Sequence, residues 1–200
     1  MNKTLTVIII AMLYGAIAGI ITTNLILKNE NSENSLIEKF YLTENAVHIS
    51  PHSLRLRMDK NTKDYILVDV RSREEYEKEH IIGAVNIPVY KDKETPAYED
   101  EERITSEFSK LPKNREIIVY CYSTACMSGR KTGKILAENK IYVKQLGIGW
   151  NEWRYFWNLW NHEYEWETTN VNDYIYSGKE SGIPKLKANS TSCSLGGLGC

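Results

Sequence analysis

Two long apolar runs constrain the fold of this chain more than any other feature of its sequence. Residues 65–70 and 116–120 have the near-continuous apolar composition of strands that are buried on both faces. Each run is followed by a short polar loop and then by a segment with the pattern of a helix. Because strands and helices alternate, we expect an α/β domain in which a mostly parallel central sheet has helices on both faces.

Shorter strands and several helices complete this pattern. The strands are predicted at residues 47–51, 84–88 and 143–146, and the helices at residues 51–60, 73–79, 104–111 and 128–139. Ser50 and Pro51 suit the first positions of the first helix, and Ser72 suits the N-cap of the second. In such sheets ligands bind at the carboxyl ends of the strands, which makes the loop after residue 120 a candidate site.

Cys121 stands at the end of the second apolar run, directly before a loop of small and polar residues. Backbone N–H groups of such a loop, with the N-terminus of the helix that follows, form an anion cradle. The same environment lowers the pKa of a cysteine and favours the nucleophilic thiolate. Cys121 is therefore a candidate nucleophile, and the alternative is a buried cysteine that only ends a strand.

Composition excludes several classes of protein. The formal net charge of the 200 residues is -1, so the chain lacks the basic surface typical of nucleic-acid binding. The four cysteines are too few for a disulfide scaffold, and neither they nor the four scattered histidines have the spacing of a zinc site. We therefore expect no nucleic-acid partner, no metal and no other cofactor.

The N-terminal segment is suited to a membrane. Residues 5–27 carry no charge, and as a helix they extend for about 35 Å, which is enough to cross a bilayer. We expect residues 1–27 to form an uncleaved, single-pass signal anchor; the alternative is a cleaved signal peptide with its site near Ala16-Ile17-Ala18. Lys3 precedes the apolar segment, so the positive-inside rule favours a globular part outside the cytoplasm, which in a bacterium is the periplasm.

The rest of the chain divides into three regions. Residues 28–45 are predicted to be a polar linker with a short helix at residues 36–41, and residues 46–165 to be the α/β domain. Residues 166–200 are predicted to be a flexible tail. This tail carries Cys193 and Cys200, which either accept sulfur or electrons from the candidate nucleophile or form one incidental disulfide.

Aromatic residues crowd together near the end of the predicted domain. Trp153, Trp157 and Trp160 recur at helical spacing, as in a helix that packs on the sheet. The alternative is an aromatic surface that contacts lipid headgroups or a partner.

Six short segments, in the same order along the chain, match one protein family. They are Ile49-Ser50-Pro51, Leu67-Val68-Asp69-Val70-Arg71, Glu75-Tyr76, His80-Ile81-Ile82-Gly83-Ala84-Val85-Asn86-Ile87-Pro88, Val119-Tyr120-Cys121, and Gly149 with Trp153. Over about residues 46–164 the chain resembles a single rhodanese-like (sulfurtransferase) domain. It departs from the usual pattern at Glu79 and Ile148, where relatives have glycine, and in the loop after Cys121, which has no early cationic residue.

The resemblance implies that Cys121 carries a persulfide. Sulfur would move from a small anionic donor, such as thiosulfate, to an unidentified acceptor, for which a protein thiol is one candidate. The implied substrate-binding residues lie in and beside the loop: Tyr122, Ser123, Thr124, Ala125, Cys126, Met127 and Arg130. Amides of residues 122–127 are expected to stabilise the thiolate and the persulfide.

Several supporting residues have two interpretations each. Arg130 either attracts the anionic donor or is only a solvated charge. Asp69 and Arg71 either support the site or have a structural role, as an ion pair or as a cap on neighbouring loops, with Glu75 as one candidate partner for Arg71. His80 is expected to be structural.

Cys126 also leaves alternatives open. Its thiol could attack the persulfide, form a disulfide with Cys121 or only fill space. Related phosphatases and arsenate reductases have an arginine six residues after the cysteine, where this chain has Met127, so phosphatase activity is not expected. Two alternatives to a sulfurtransferase remain: a non-catalytic module that binds a partner, and a thiol–disulfide relay formed by the two loop cysteines.

Overall fold

The computed structural model describes residues 2–30 and 32–186. The chain divides into two compact units, Met1–Asn45 and Ala46–Cys200. The first unit begins with helix α1 (Lys3–Glu30), whose segment Lys3–Thr23 is long and apolar enough to cross a membrane by length and composition. The apolar side chains of that segment are exposed within the unit.

Helix α2 (Glu33–Val47) occupies the segment that was predicted to be a linker with a short helix. The helix is longer than the expected 36–41 because nothing in these fifteen residues interrupts it: the segment contains neither glycine nor proline. Glu33 lies in its first turn, where a negative charge interacts favourably with the helix dipole.

The second unit is built around a five-stranded parallel sheet. Its strand order is β1-β6-β5-β2-β4, with β1 at His48–Ile49, β2 at Tyr65–Asp69, β4 at Ala84–Asn86, β5 at Glu116–Tyr120 and β6 at Lys144–Leu146. Each neighbouring pair in this sheet is parallel. The predicted α/β fold with a mostly parallel sheet is therefore confirmed.

Helices cover both faces of this sheet. They are α3 (Pro51–Asp59), α4 (Arg73–Lys78), α5 (Glu101–Ser109), α6 (Ser128–Glu138), α7 (Trp150–Tyr155) and α8 (Trp157–Trp160). Side chains of β2 and β5 alternate between two apolar clusters. Leu67 and Ile118 pack in one cluster with residues of α3 and α7, whereas Val68 and Val119 pack in the other with residues of α5 and α6.

Two helix starts show how local chemistry sets the boundaries. Ser72 caps α4 as predicted, since its Oγ accepts a hydrogen bond from the Glu75 amide at 3.4 Å. Helix α5 begins three residues before the predicted position because Asp100 is its cap and accepts a hydrogen bond from the Arg103 amide.

The prediction of a flexible tail from residue 166 is wrong for residues 166–186. Strand β7 (Ile175–Tyr176) pairs antiparallel with β3 (His80–Ile81), and the preceding Tyr174 is buried in the core. The Tyr174 hydroxyl donates to Asp59 Oδ1 at 2.8 Å. The buried Tyr174 side chain thus holds this otherwise polar segment on the domain. Cys193 and Cys200 lie outside the described residues.

Trp153, Trp157 and Trp160 pack inward, as the first of the two interpretations predicted. Trp153 is fully buried, and Trp157 is buried with its ring stacked on Tyr174 at 5.2 Å. The expected single helix is broken at Phe156, which separates α7 from α8.

Candidate active site

Cys121 directly follows β5 and lies at the carboxyl edge of the parallel sheet. Its side chain is only 4% exposed, because it belongs to the apolar cluster between the sheet and α5 and α6. The N-terminus of α7 holds its backbone: the Trp150 amide donates to the Cys121 carbonyl at 2.8 Å, and the Asn151 amide to the Tyr122 carbonyl at 2.7 Å. The candidate nucleophile therefore has a fixed backbone.

The loop returns Cys126 to Cys121. A turn closed by the Cys126 amide on the Ser123 carbonyl, at 3.0 Å, reverses the chain within the loop. The two Sγ atoms lie 2.9 Å apart, and both cysteines are free thiols. Cys126 is the more exposed of the two. The two sulfur atoms therefore form a contacting pair. The sequence had left the role of Cys126 undecided among several alternatives.

The two sulfur atoms shift each other's pKa in opposite directions. A hydrogen bond from the Cys121 thiol lowers the pKa of Cys126 to about 5; contacts with Ser128 and the Tyr122 amide also lower it, and burial opposes them. The same hydrogen bond, together with burial, raises the pKa of Cys121. The expectation of a lowered pKa at Cys121 is therefore wrong, because its thiol donates a hydrogen bond to the neighbouring sulfur and is buried.

Only part of the expected amide cradle faces the sulfur atoms. The Thr124 amide donates to Glu152 Oε1 at 3.1 Å, and the Cys126 amide is used in the turn with Ser123. The contacts that favour the charged form come from the amide of Tyr122 and from Ser128. Ser128 was not among the predicted site residues, although its place at the start of α6 is a signal that could have identified it.

Glu152 is a second residue that the sequence did not reveal. Its carboxylate accepts hydrogen bonds from the Thr124 amide at 3.1 Å and from the Gly149 amide at 3.0 Å. It therefore ties the loop to the start of α7. Glu152 lies 28 residues from Thr124 in the chain, and no local pattern in the sequence indicates this contact.

Arg130 lies on α6, as predicted, but it contacts the loop. Its Nη1 atom donates to the carbonyls of Thr124 at 3.0 Å and Cys126 at 3.3 Å. Both contacts are solvent-exposed. Ala125 and Met127 are exposed beside them. The guanidinium thus closes the outer side of the loop.

Tyrosines form the rim of the site next to Ser128. Tyr90 and Ser128 share a hydrogen bond of 2.5 Å, and the Tyr98 hydroxyl also donates to Ser128. The Tyr90 ring meets the Tyr122 ring edge to face at 5.5 Å, and the Tyr122 hydroxyl donates to Glu75. Burial raises the pKa of Tyr90 and of Tyr122, so both hydroxyls are neutral donors at neutral pH.

Asp69 and Arg71 form a buried ion pair below the site. Arg71 Nη2 donates to Asp69 Oδ2 at 2.7 Å, and the Tyr120 hydroxyl donates to the same oxygen at 2.7 Å. The guanidinium also lies over the Trp150 ring at 4.4 Å. The sequence suggested Glu75 as one partner for Arg71, whereas in the structure Arg71 forms its ion pair with Asp69. The pair thus contacts Tyr120, which precedes Cys121, and Trp150, whose amide donates to the Cys121 carbonyl.

His80 is placed as a structural residue. It is fully buried, its ring stacks on Tyr76 at 3.7 Å, and Nδ1 lies 2.7 Å from the Tyr76 carbonyl oxygen.

One group of side chains outside the loop has the composition of a metal site. The possible ligand atoms of His52, His162 and Glu165 all lie within 4.8 Å of one another. Two of the four histidines, although far apart in the sequence, are therefore close together in the fold. Arg55 forms a buried ion pair with Glu165 in the same place. Because its guanidinium already neutralises the carboxylate, the group disfavours an added cation.

Comparison with known proteins identifies the class of this domain. Residues 50–155, more than half of the chain, match the rhodanese-like domain family. The chain belongs to that family.

One curated relative and three solved structures illustrate the similarity. The relative is the HTH-type transcriptional regulator Rv0324 of Mycobacterium tuberculosis, 33% identical over 88 residues, which are 44% of this chain and 34% of that protein. The chain thus spans about a third of the length of this relative. A full-length protein from Lactobacillus plantarum is 17% identical with a TM-score of 0.50, over 62% of this chain and 94% of its own.

The other two structures have lower TM-scores. The BH2092 protein from Bacillus halodurans is 27% identical with a TM-score of 0.49, over 61% of this chain and 81% of its own. A rhodanese with anions from E. coli is 28% identical with a TM-score of 0.30, over 42% of this chain and 86% of its own.

Proposed function

We propose that this chain is a sulfurtransferase that carries sulfane sulfur as a persulfide on Cys121. The donor is a small anion such as thiosulfate, and the acceptor is a thiophilic group such as a protein thiol. The observation that carries the proposal is the 2.9 Å contact between the Cys121 and Cys126 sulfur atoms at the carboxyl edge of the sheet. The Cys126 sulfur is in position to take the Cys121 proton as the Cys121 thiol attacks the donor.

The loading step balances with the groups present. As Cys121 Sγ attacks the outer sulfur of thiosulfate, its proton moves to the Cys126 thiolate. The bond between the two thiosulfate sulfurs breaks, and sulfite leaves with the electron pair. The products are a Cys121 persulfide anion, a neutral Cys126 thiol and sulfite. The Tyr122 amide and Ser128 are the groups placed to stabilise the new negative charge.

Steady-state thiocyanate formation from thiosulfate and cyanide tests this proposal on the full chain in detergent. We expect activity in the wild type and background values for Cys121→Ser. Lys134→Gln changes an exposed residue of α6 and is the control that should leave the rate unchanged. Full activity in Cys121→Ser would refute the proposal.

A partner-binding module is the second candidate. The curated relative is a transcriptional regulator, so a rhodanese-like domain occurs in a regulatory protein. In this chain Tyr155, Phe156, Leu159 and Trp166 are exposed and line one open groove. Contiguous exposed apolar side chains are typical of a contact surface. An inactive wild type that forms no persulfide would favour this candidate.

We also propose that α1 is a single-pass signal anchor and that the domain lies outside the cytoplasm. The length and apolar composition of Lys3–Thr23 support the anchor, and Lys3 supports the orientation. Protease added to spheroplasts of a bacterial host is expected to digest the domain. Digestion only after the membrane is broken would show the opposite orientation.

A further inference from the structure

Cys126 is placed for a second reaction, after the loading step. After that step it is a neutral thiol whose sulfur lies in contact with the inner sulfur of the persulfide, since the two Sγ atoms start 2.9 Å apart. A disulfide requires a separation of about 2.0 Å, so only a small approach separates contact from a bond. The turn that closes on Ser123 and the Arg130 contacts hold the Cys126 backbone in this place.

The contact favours one of the two sulfurs that a thiol could attack. Attack on the outer sulfur would only move the persulfide from one cysteine to the other. Attack on the inner sulfur, Cys121 Sγ, is the one for which Cys126 is already in contact. It forms a disulfide and expels the outer sulfur, because thiol–disulfide exchange proceeds by attack on a sulfur with departure of the other.

We propose that Cys126 resolves the Cys121 persulfide by releasing hydrosulfide and forming a Cys121–Cys126 disulfide. This inference rests on the proposed function, since it needs the persulfide as its starting point. It makes the chain a dithiol-dependent source of hydrosulfide, with Cys126 as a second catalytic residue. The substrate class of the second half-reaction is an external dithiol, which reduces the disulfide.

The step balances in atoms, electrons and protons. A Cys121 persulfide anion and a Cys126 thiol give one disulfide and one HS⁻. The proton on the departing sulfur is the one that Cys126 received from Cys121 during loading. The two cysteines are oxidised by two electrons, and the sulfane sulfur is reduced by two. An external dithiol then returns both electrons and both protons to the cysteines, and itself becomes a disulfide.

Geometry also suits Cys126 to the reduction of the disulfide. It is the more exposed member of the pair, so an external dithiol attacks its sulfur first. Cys121 then departs as the leaving thiolate. The loop therefore places the solvent-facing sulfur where the reductant must attack.

A single-turnover experiment on the full chain tests the inference. The background carries Cys193→Ser and Cys200→Ser, so that only the two loop cysteines remain. The chain is reduced, freed of reductant and mixed with excess thiosulfate in detergent. We expect one hydrosulfide per chain, and an intact mass that is two hydrogen atoms lower than that of the reduced chain.

The same background with Cys126→Ser is the matched variant. We expect it to gain one sulfur atom more slowly, because it lacks the sulfur that accepts the Cys121 proton, and to release no hydrosulfide until a dithiol is added. A stable added sulfur in both chains, without hydrosulfide release, would overturn the inference and leave the proposed function intact. No added sulfur in the Cys126→Ser chain, and no hydrosulfide from the other, would overturn both.

Discussion

Gly149 lies directly against Ser123, so closely that a Cβ atom at position 149 would fall 2.2 Å from the Ser123 backbone nitrogen. This contact joins the start of α7 to the loop that carries both cysteines. Two neighbouring hydrogen bonds, from Trp150 to Cys121 and from Asn151 to Tyr122, continue the same contact. The loop conformation therefore depends on the absence of a side chain at one position of another element.

Gly149→Ala is expected to displace the loop. Backbone atoms cannot yield as a flexible side chain does, so we expect a loss of about 1–3 kcal/mol in the free energy of unfolding. The rate of thiocyanate formation should also fall below that of the wild type. The loss should be at least as large as in any other loop variant that keeps both cysteines. Chemical denaturation and the steady-state assay measure the two effects.

Gly133→Ala is the matched control for this change. Its new Cβ atom would meet only Val143 Cγ2 at 3.9 Å, an ordinary contact inside helix α6. We expect a gain of about 0.4–1 kcal/mol, because alanine favours the helix. Equal effects of the two alanines would contradict the role given to Gly149.

Tyr120→Phe is expected to destabilise the domain from below the site. The lost hydroxyl donates to Asp69 Oδ2 at 2.7 Å and accepts from the Ile81 amide at 3.1 Å, both in a buried position. Leaving these two groups without that partner costs about 1–3 kcal/mol. Tyr142→Phe, at an exposed position, should change nothing in the same denaturation experiment.

The pH dependence of the alkylation rate of the loop cysteines should be set by the thiol that ionises at the lower pH. Because the pKa of Cys126 is lowered to about 5, its alkylation rate should fall only as the pH drops through that value. From about pH 6 to about pH 8 the rate should stay nearly constant, because the thiolate is already formed. Iodoacetamide on the chain without the tail cysteines provides the measurement.

Cys121→Ala removes the hydrogen-bond donor and should reverse this behaviour. Without the donor, the pKa of Cys126 should rise toward about 8.5, so the rate should climb with pH through the neutral range. An unchanged pH profile in Cys121→Ala would mean that the neighbouring thiol does not set the pKa of Cys126.

Variants of Arg130 distinguish attraction of the donor from support of the loop. The Nη1 atom of the guanidinium donates to both carbonyls, and the lysine side chain is one atom too short to place its ammonium at the same point. If support is its role, Arg130→Lys and Arg130→Ala should both lower kcat, with a similar KM for thiosulfate. A raised KM in Arg130→Ala that lysine restores would assign Arg130 to the donor instead.

The sequence predicted those parts of the molecule that follow from local patterns. The β2 and β5 runs, the Ser72 cap and the position of Cys121 after a buried strand all depend on neighbouring residues. The resemblance to the rhodanese-like family added the order of these elements. Local pattern and family order together were enough to locate the loop.

Contacts that exist only in the folded chain account for what the sequence missed. The bond from Thr124 to Glu152 and the pairing of β7 with β3 join residues far apart in the sequence. The choice of Asp69 over Glu75 by Arg71 and the pKa shifts of Cys121 and Cys126 involve near neighbours, but they depend on how the folded chain places the side chains. The direction of these pKa shifts follows from relative burial and hydrogen bonds, which the spacing of the two cysteines does not contain.

The most direct test of the central claim is to determine which loop cysteine holds the transferred sulfur. Intact mass of the full chain, without its tail cysteines, would be measured after thiosulfate for Cys126→Ser and for Cys121→Ser. We predict one added sulfur atom in Cys126→Ser, removable by cyanide, and none in Cys121→Ser. Sulfur that appears in Cys121→Ser and not in Cys126→Ser would contradict the account, because Cys126 would then be the carrier.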